Sequence, residues 1–414
     1  MSCEIHTRSS QHVVGDRQPN GRAGVNYTSA LTVLLALACA LIVANLYYAQ
    51  PLTGLIGPAL GLAPAQTGLL VTMTQLGYGL GLLAFVPLGD LIDNRRLAVA
   101  SLLVAAAALA VIACAPTAGV FLAATLVVGV ACTTVQVLLP FAAHFTTEAD
   151  RGRVIGSLTS GLMLGIVLAR PAASFVTYYA GWRAVFALSA ALMTLMAAIL
   201  TLGMPRYQPV TRLSYLGILH SLPALLCEVP ILRRRAAYHA ALYASFSLFW
   251  TAVPLLLASE RFGLTQRGIG LFALAGTGGV IVAPIVGIIA DRGLTKPATG
   301  CAIGAVLTAF GIALVGGEMR SISLLIVAAL LIDAGLVINF VISQRSIYTP
   351  RPESRSRIGG LFTAIFFTGG ALGSGLAAAS LVAGGWELTS QIGMAFAAGA
   401  LVLYAGELAA SRRG

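Results

Sequence analysis

Long stretches of apolar residues, broken by short clusters of charge, set the first expectation for this chain. No charged side chain stands between Arg22 and Asp90, and none between Arg96 and Glu148. Each gap is long enough to cross a hydrocarbon core of roughly 30 Å twice, at about 20 residues per helix. Such continuous runs fit helices, which satisfy their own backbone groups, and not the alternating strands of a membrane barrel. Read against turn residues and charges, they predict twelve spans, near 29-50, 65-89, 97-115, 118-143, 155-178, 183-204, 237-258, 266-290, 297-315, 321-344, 358-383 and 388-408.

The pattern also repeats. Gln66 to Asp90 answers Gln266 to Asp291, Pro51 answers Pro254, Arg151-Gly-Arg153 answers Arg355-Ser-Arg357, and Gly181-Trp182 answers Gly385-Trp386. The offset is close to 200 residues throughout, the mark of a duplicated multi-helix unit. The expected fold is an all-α membrane protein, with twelve transmembrane helices in two pseudo-symmetric six-helix bundles. Residues 1-28 form an N-terminal tail, 29-204 and 237-410 the bundles, 205-236 a linker, and 411-414 a C-terminal tail.

Composition agrees: 58% of residues are hydrophobic and 9% charged. Such a chain cannot be a water-soluble domain. The net charge of +11 reports topology and contact with anionic lipid, not nucleic acid, because most of the 25 basic residues fall on one side once the N-terminus is placed inside. Both termini are then cytoplasmic. The tail before residue 29 lacks the short apolar core and cleavage site of a secretory signal, so the first span is read as retained. Within the linker, Leu213, Leu216 and Leu219 beside Arg212 and His220 suggest a short helix on the membrane surface, a solvated linker being the alternative.

Chemistry narrows the classes further. The six cysteines and five histidines are scattered without ligand spacing, so no metal site is expected. No Gly-rich loop ending in Gly-Lys-Ser/Thr is present to cradle ATP. No catalytic constellation appears, so an enzyme is not expected, and energy has to come from an ion or solute gradient.

Several segments carry a resemblance. Asn45-Leu-Tyr-Tyr-Ala-Gln-Pro51, Pro87-Leu-Gly-Asp90-Leu-Ile-Asp-Asn-Arg-Arg96, Ser160-Gly-Leu-Met-Leu-Gly165 with Arg170, Gly181-Trp-Arg183 and Phe249-Trp250 together resemble the major facilitator superfamily. In detail the chain looks like bacterial drug and metabolite exporters of the arabinose-efflux type. Asp90, Arg95 and Arg96 fill the charged positions of the family's loop signature, while Val86 replaces its glycine and Asp93 and Asn94 its next glycine and first arginine. The second copy, Gly287 to Gly293 with Asp291 and Arg292, keeps the glycine. The resemblance implies two conformational latches, with Asp90 near Arg151 or Arg153 and Asp291 near Arg355 or Arg357. Such aspartates pair with arginine or accept from a helix N-terminus. The alternative for the arginines is topology alone. Exporters of this family often carry an arginine in span four, four residues before a glycine, where this chain has Thr125 before Gly129.

Two charges lie inside spans. Asp333 stands about 18 to 20 Å of helix from both Arg320 and Arg345, near the membrane centre. Hydrocarbon disfavours a charged carboxylate, so this group suits proton uptake and release, or else it clamps helices through hydrogen bonds. Arg170 is its possible helper, facing a cavity or anchoring at the interface. Asn45, Tyr47, Tyr48 and Gln50 crowd polarity into the first span, as a binding wall or as an aromatic belt. Gln75, Tyr78, Gln136, Trp250 and Asn339 are further cavity candidates. Glycines four apart, Gly77 with Gly81, Gly161 with Gly165 and Gly369 with Gly373, point to close helix packing.

These features lead to a proton-coupled exporter of small drugs or metabolites in a bacterial inner membrane, working without a cofactor as a monomer. Symport or facilitated uptake of a sugar or organic acid is a second expectation, and a non-transporting membrane sensor a third.

Overall fold

Residues 29–209, 215–276, 278, 295–349 and 354–411 are described by a computed structural model. No strand occurs among them. The helices are α1 (Ser29–Ala44), α2 (Thr53–Ala59), α3 (Leu69–Ala84), α4 (Asn94–Ala113), α5 (Ala118–Cys132), α6 (Val135–His144), α7 (Glu148–Ala180) and α8 (Trp182–Gly203). There follow α9 (Tyr215–Glu228), α10 (Pro230–Ala258), α11 (Gln266–Gly276), α12 (Thr295–Glu318), α13 (Ile322–Tyr348) and α14 (Arg355–Ser411).

Nine of these described segments are long and apolar enough to cross a membrane. The last of them, α14, holds spans eleven and twelve, joined at a corner where Gly384 and Gly385 leave helical geometry. Span eight is described from Gln266 to Gly276 and at Gly278, and the rest of the 266-290 stretch, with Asp291 and Arg292, lies outside the described residues. Span one breaks. After Ala44 the backbone tightens, with Asn45, Leu46 and Tyr47 each donating to the carbonyl three residues back. A 3₁₀ turn at Gln50–Leu52 with Pro51 in its first turn then starts α2, as expected where proline cannot donate. Span four breaks similarly, between α5 and α6, where the Thr133 and Thr134 hydroxyls donate to Val130 and Ala131 carbonyls.

Sequence chemistry fixes the helix ends. Asp93 accepts from the Arg96 amide at 2.7 Å, Thr147 from Asp150 and Ser321 from Leu324, each occupying an otherwise unpaired N-terminal donor. Glu148 and Asp150 add negative charge to the first turn of α7, where the helix dipole favours it. The duplicated Gly-Trp pair is one structural device used twice. Gly181 and Gly385 adopt φ of 80° and 65°, a region that favours glycine. Each positions a buried tryptophan: Trp182 packs edge-on to Phe121 and Phe186, and Trp386 donates to the Ala313 carbonyl at 2.7 Å.

Glycine also sets the packing. Gly161 and Gly165 on α7 sit against the backbone of Ala36 and Ala40 on α1, and Gly369 and Gly373 on α14 against Ala240 and Ala244 on α10. The two contacts are equivalent in the two halves. Gly77 and Gly81 on α3 bring it equally close to α5 at Leu126 and Val130. Backbones approach this closely only where no side chain intervenes. Large apolar side chains point outward over the bundle, among them Val33, Leu103, Leu202 and Val402, the surface that lipid would cover.

Between the halves, α9 realises the expected linker helix but begins at Tyr215, so Leu213 and Arg212 lie outside the described residues. Its Ile218 and Leu225 are buried while Leu216 is exposed. The Tyr215 hydroxyl donates to the Ala84 carbonyl at 2.8 Å, tying the linker to the end of α3.

A bulky side chain at a close approach has no room. Gly165→Val is expected to lower stability by about 1–3 kcal/mol through overpacking, read as a lower melting temperature in detergent. Gly119→Ala, where an added methyl meets nothing, is expected to leave it unchanged.

Candidate functional site

The buried polar side chains gather where α7 and the broken first span face α10 and α13. Arg170, on α7, is 2% exposed. Its Nε donates to Gln50 Oε1 at 2.7 Å. The guanidinium carbon lies 4.3 Å from the Trp250 ring centroid and 5.1 Å from those of Tyr47 and Phe246. Such rings attract a cation to their faces, the more so when water is excluded. On the far side of the cluster Trp250 Nε1 donates to Asp333 Oδ1 at 2.9 Å, and Asp333 is 4% exposed.

The two intramembrane charges that the sequence singled out therefore meet around one tryptophan. Among the described residues they form no direct ion pair; the ion pairs are Arg153 with Asp150 at 3.0 Å and Arg261 with Glu318 at 3.5 Å, both at the surface. Arg170 and Asp333 act on each other electrostatically across the indole.

A seam of side-chain hydrogen bonds runs between the halves. Tyr47 and Tyr243 hydroxyls are 3.2 Å apart, Gln75 Nε2 donates to Ser247 at 2.8 Å, and Thr72 and Ser374 hydroxyls meet at 2.9 Å. Tyr78 stacks on Phe367 with centroids 4.4 Å apart. Gln136 Nε2 donates to the Tyr78 hydroxyl at 3.3 Å, which joins span four to this seam indirectly. Other candidates face elsewhere. Asn45 turns into its own bundle, accepting from Ser189 at 2.6 Å and donating to the Leu41 carbonyl. Tyr48 is partly buried against the core. Asn339 Nδ2 lies 3.0 Å from His239 Nδ1, in a second cluster where the imidazole is ringed by Phe340, Phe362 and Phe366.

At the arginine-bearing end the arrangement differs from the expected pairings. Asp90 lines a small recess with Arg357, Ile218 and Leu222, so its charged neighbour comes from the other half. Arg153 is taken by Asp150 on its own helix, an i,i+3 pair that the sequence reading passed over. Arg357 donates to Ser221 on α9 at 2.9 Å and to Ser354 at 3.2 Å. Arg95 is bound by the Thr201 carbonyl, Arg96 uses its backbone amide to close the α4 cap, and Arg151 and Arg355 are exposed.

His239, Tyr243 and Ser247 were not singled out from the sequence. With Trp250 and Pro254 they recur at three- and four-residue steps along α10, the spacing of one helix face. Arg235, in the first turns of α10, is buried and donates to Thr299 at 2.7 Å. Among the described residues no group of His, Cys, Asp and Glu could hold a metal ion.

Helical bundles joined along a buried polar seam are an arrangement that suits a membrane transporter. Residues 33–374 match the family model of the Major Facilitator Superfamily, and the chain belongs to that family. It is 35% identical to the putative uncharacterized transporter YgaY of Escherichia coli K12 over 86% of this chain and 90% of the relative. To the probable transporter SCO4007 of Streptomyces coelicolor it is 33% identical, over 89% and 86%. Among solved structures it resembles a bacterial homolog of the human lysosomal transporter Spinster, inward-facing and unoccupied, with a TM-score of 0.69, 16% identity, and 93% and 97% of the chains covered. The nucleoside transporter NupG gives a TM-score of 0.70 at 15% identity, over 92% and 99%. These last two likenesses establish the fold.

The Trp250 bond separates two substitutions of Asp333. Both remove the counter-charge of Arg170, but Asp333→Asn keeps an oxygen that can accept from the indole. Asp333→Leu also leaves the indole N–H unpaired and is expected to be less stable than Asp333→Asn by about 1–3 kcal/mol, read as a lower melting temperature in detergent.

Proposed function

We propose that this chain is a proton-coupled secondary transporter that exports small organic compounds from a bacterial cell by alternating access. The observation that carries the reading is the Arg170, Trp250 and Asp333 cluster, which joins α7 of one half to α10 and α13 of the other. A carboxyl enclosed there can hold a proton or release it as the enclosing halves part. The coupling role falls to Asp333, with Arg170 as the charge that responds to it. No cofactor is needed, since a proton gradient supplies the energy. Tyr47, Gln75, Tyr78 and Trp250 supply amphipathic and aromatic walls suited to organic solutes. Asp90 beside Arg357, with α9 across the junction, is the contact that would open and close on the arginine-rich side, and the distribution of positive charge supports a cytoplasmic location for that side and both termini.

Export rests on the resemblance of Asn45 to Pro51 and of the loop after span two to exporter sequences. A second reading is proton-linked uptake of an organic acid, and one observation favours it: the guanidinium of Arg170 at the centre of the seam, a cation able to hold a carboxylate.

The test is accumulation of labelled drugs, dyes and organic acids in efflux-deficient cells carrying the parent or Asp333→Asn at matched expression. Export predicts lower accumulation of at least one compound, abolished by the substitution. Higher accumulation in the parent would turn the direction to uptake, and a gradient-driven flux unaffected by Asp333→Asn would remove Asp333 from coupling.

A further inference from the structure

Two hydrogen-bond donors at the centre of the protein have no acceptor among the described residues. Gln50 Nε2 and Arg170 Nη2 are both buried and both unpaired, although Gln50 is fully enclosed and Arg170 is 2% exposed. Unpaired buried donors each carry a desolvation cost of about 1–3 kcal/mol, more for a charged group. Native interiors leave few of them, and those few call for an explanation.

Their position is informative. Arg170 Nε and Gln50 Oε1 are already joined at 2.7 Å. Nη2 branches from the carbon that carries Nε, and Nε2 from the carbon that carries Oε1. Both unused donors therefore flank one existing hydrogen bond, each a single covalent branch from it. Reversing the Gln50 amide would not relieve them, because it would aim Nε2 at the Nε donor of Arg170. The three rings around the guanidinium cannot relieve them either: a ring meets the cation's face and satisfies charge, whereas an N–H needs an acceptor in its own direction. What the pair lacks is a group with acceptor oxygens, two of them set to meet two neighbouring donors.

We propose that Arg170 Nη2 and Gln50 Nε2 form the recognition site for a carboxylate on the transported compound, so that the substrate class is small organic acids. The inference rests on the central cluster being the transport site. One carboxylate oxygen takes Nη2 and the other Nε2, a fork with two donors that also fixes orientation. The apolar body of the ligand lies along Tyr47, Phe246 and Trp250, which already surround the guanidinium. Trp250 is then both a wall of the site and its reporter.

The experiment uses the full chain in detergent with Trp182→Phe and Trp386→Phe, which leaves Trp250 as the single tryptophan of the three. Its emission is titrated with benzoate, phenylacetate and cinnamate and with the corresponding uncharged amides. Saturable shifts are expected with at least one acid and not with its amide. Gln50→Leu is expected to weaken binding about tenfold or more, the loss of one charge-assisted bond. Gln50→Glu, which sets a negative charge beside the ligand, is expected to weaken it further, whereas Arg170→Lys retains part of the affinity and Arg170→Gln none.

Equal responses to acid and amide, or acid binding untouched by Gln50→Leu and Gln50→Glu, would overturn the assignment, as would silence toward every acid. Gradient-driven transport of the same compounds in proteoliposomes, measured in parallel, keeps the two levels apart. Transport of neutral or cationic compounds that depends on Asp333 and tolerates Gln50→Leu would refute the substrate class and leave the proposed function standing. Acid binding without any gradient-driven flux would refute the function and retain the site.

Discussion

The enclosure of one guanidinium is the constraint on which the centre of the protein depends. Arg170 is a permanent charge on a helix whose surroundings are apolar, and an ion in such a place costs several kcal/mol unless its neighbours replace water. They do so by different means. Gln50 offers a carbonyl oxygen at 2.7 Å, Trp250 offers a ring face at 4.3 Å, and Asp333 supplies a counter-charge behind the indole. Gln50 reaches this point because the first span stops being an α-helix at Ala44 and turns through a 3₁₀ segment. The break in that span, the tryptophan on α10 and the aspartate on α13 are thus parts of one electrostatic solution.

Much of this was legible in the sequence, for reasons that differ from residue to residue. Charge-free runs revealed the spans because hydrocarbon tolerates few ionised groups, and Asp333 and Arg170 stood out by the same rule applied in reverse. Their meeting was not legible, since nothing in a linear pattern says which faces of α7 and α13 turn toward α10. Asn45 shows the converse: its polarity marked it, but in the fold it satisfies itself on Ser189 and its own backbone. The resemblance offered Arg151 or Arg153 as candidate neighbours of Asp90 because the arginine-rich loops hold many cations, and only packing shows that Arg357 lines the same recess. The glycine pairs were readable as contacts because a missing side chain has one main packing consequence. Their exact partners, Ala36 and Ala40 in one half and Ala240 and Ala244 in the other, required the structure.

Two kinds of contact divide the work of the fold. Within each half, α1 against α7 and α10 against α14 meet backbone to backbone at glycine, with no side chain that could give way. Close-packed contacts of this kind resist gradual deformation. Between the halves Gly68 also meets the Ser374 backbone, but the polar contacts are mainly side-chain hydrogen bonds such as Tyr47 with Tyr243 and Gln75 with Ser247. Each contributes on the order of 1 kcal/mol net, and water can replace each when the seam opens.

This division determines what happens to the central charges when the halves part. Gln50 and Arg170 belong to the first half, and the α1 to α7 glycine contact holds their elements together. Trp250 and Asp333 belong to the second half and share a hydrogen bond at 2.9 Å. In the alternating access proposed above, rocking one bundle against the other would preserve both bonds and separate the guanidinium from the indole at 4.3 Å and from the Phe246 ring at 5.1 Å. The charge and counter-charge are parted at the tryptophan, and each half then has to satisfy its own charge. Arg170 gains room for an acceptor at the unused edge beside Gln50. Under the coupling proposed above, Asp333 would lose its neighbouring cation and a proton would be the simplest replacement. In that mechanism movement, proton occupancy and ligand occupancy are linked through the aromatic contacts that α10 makes with one guanidinium.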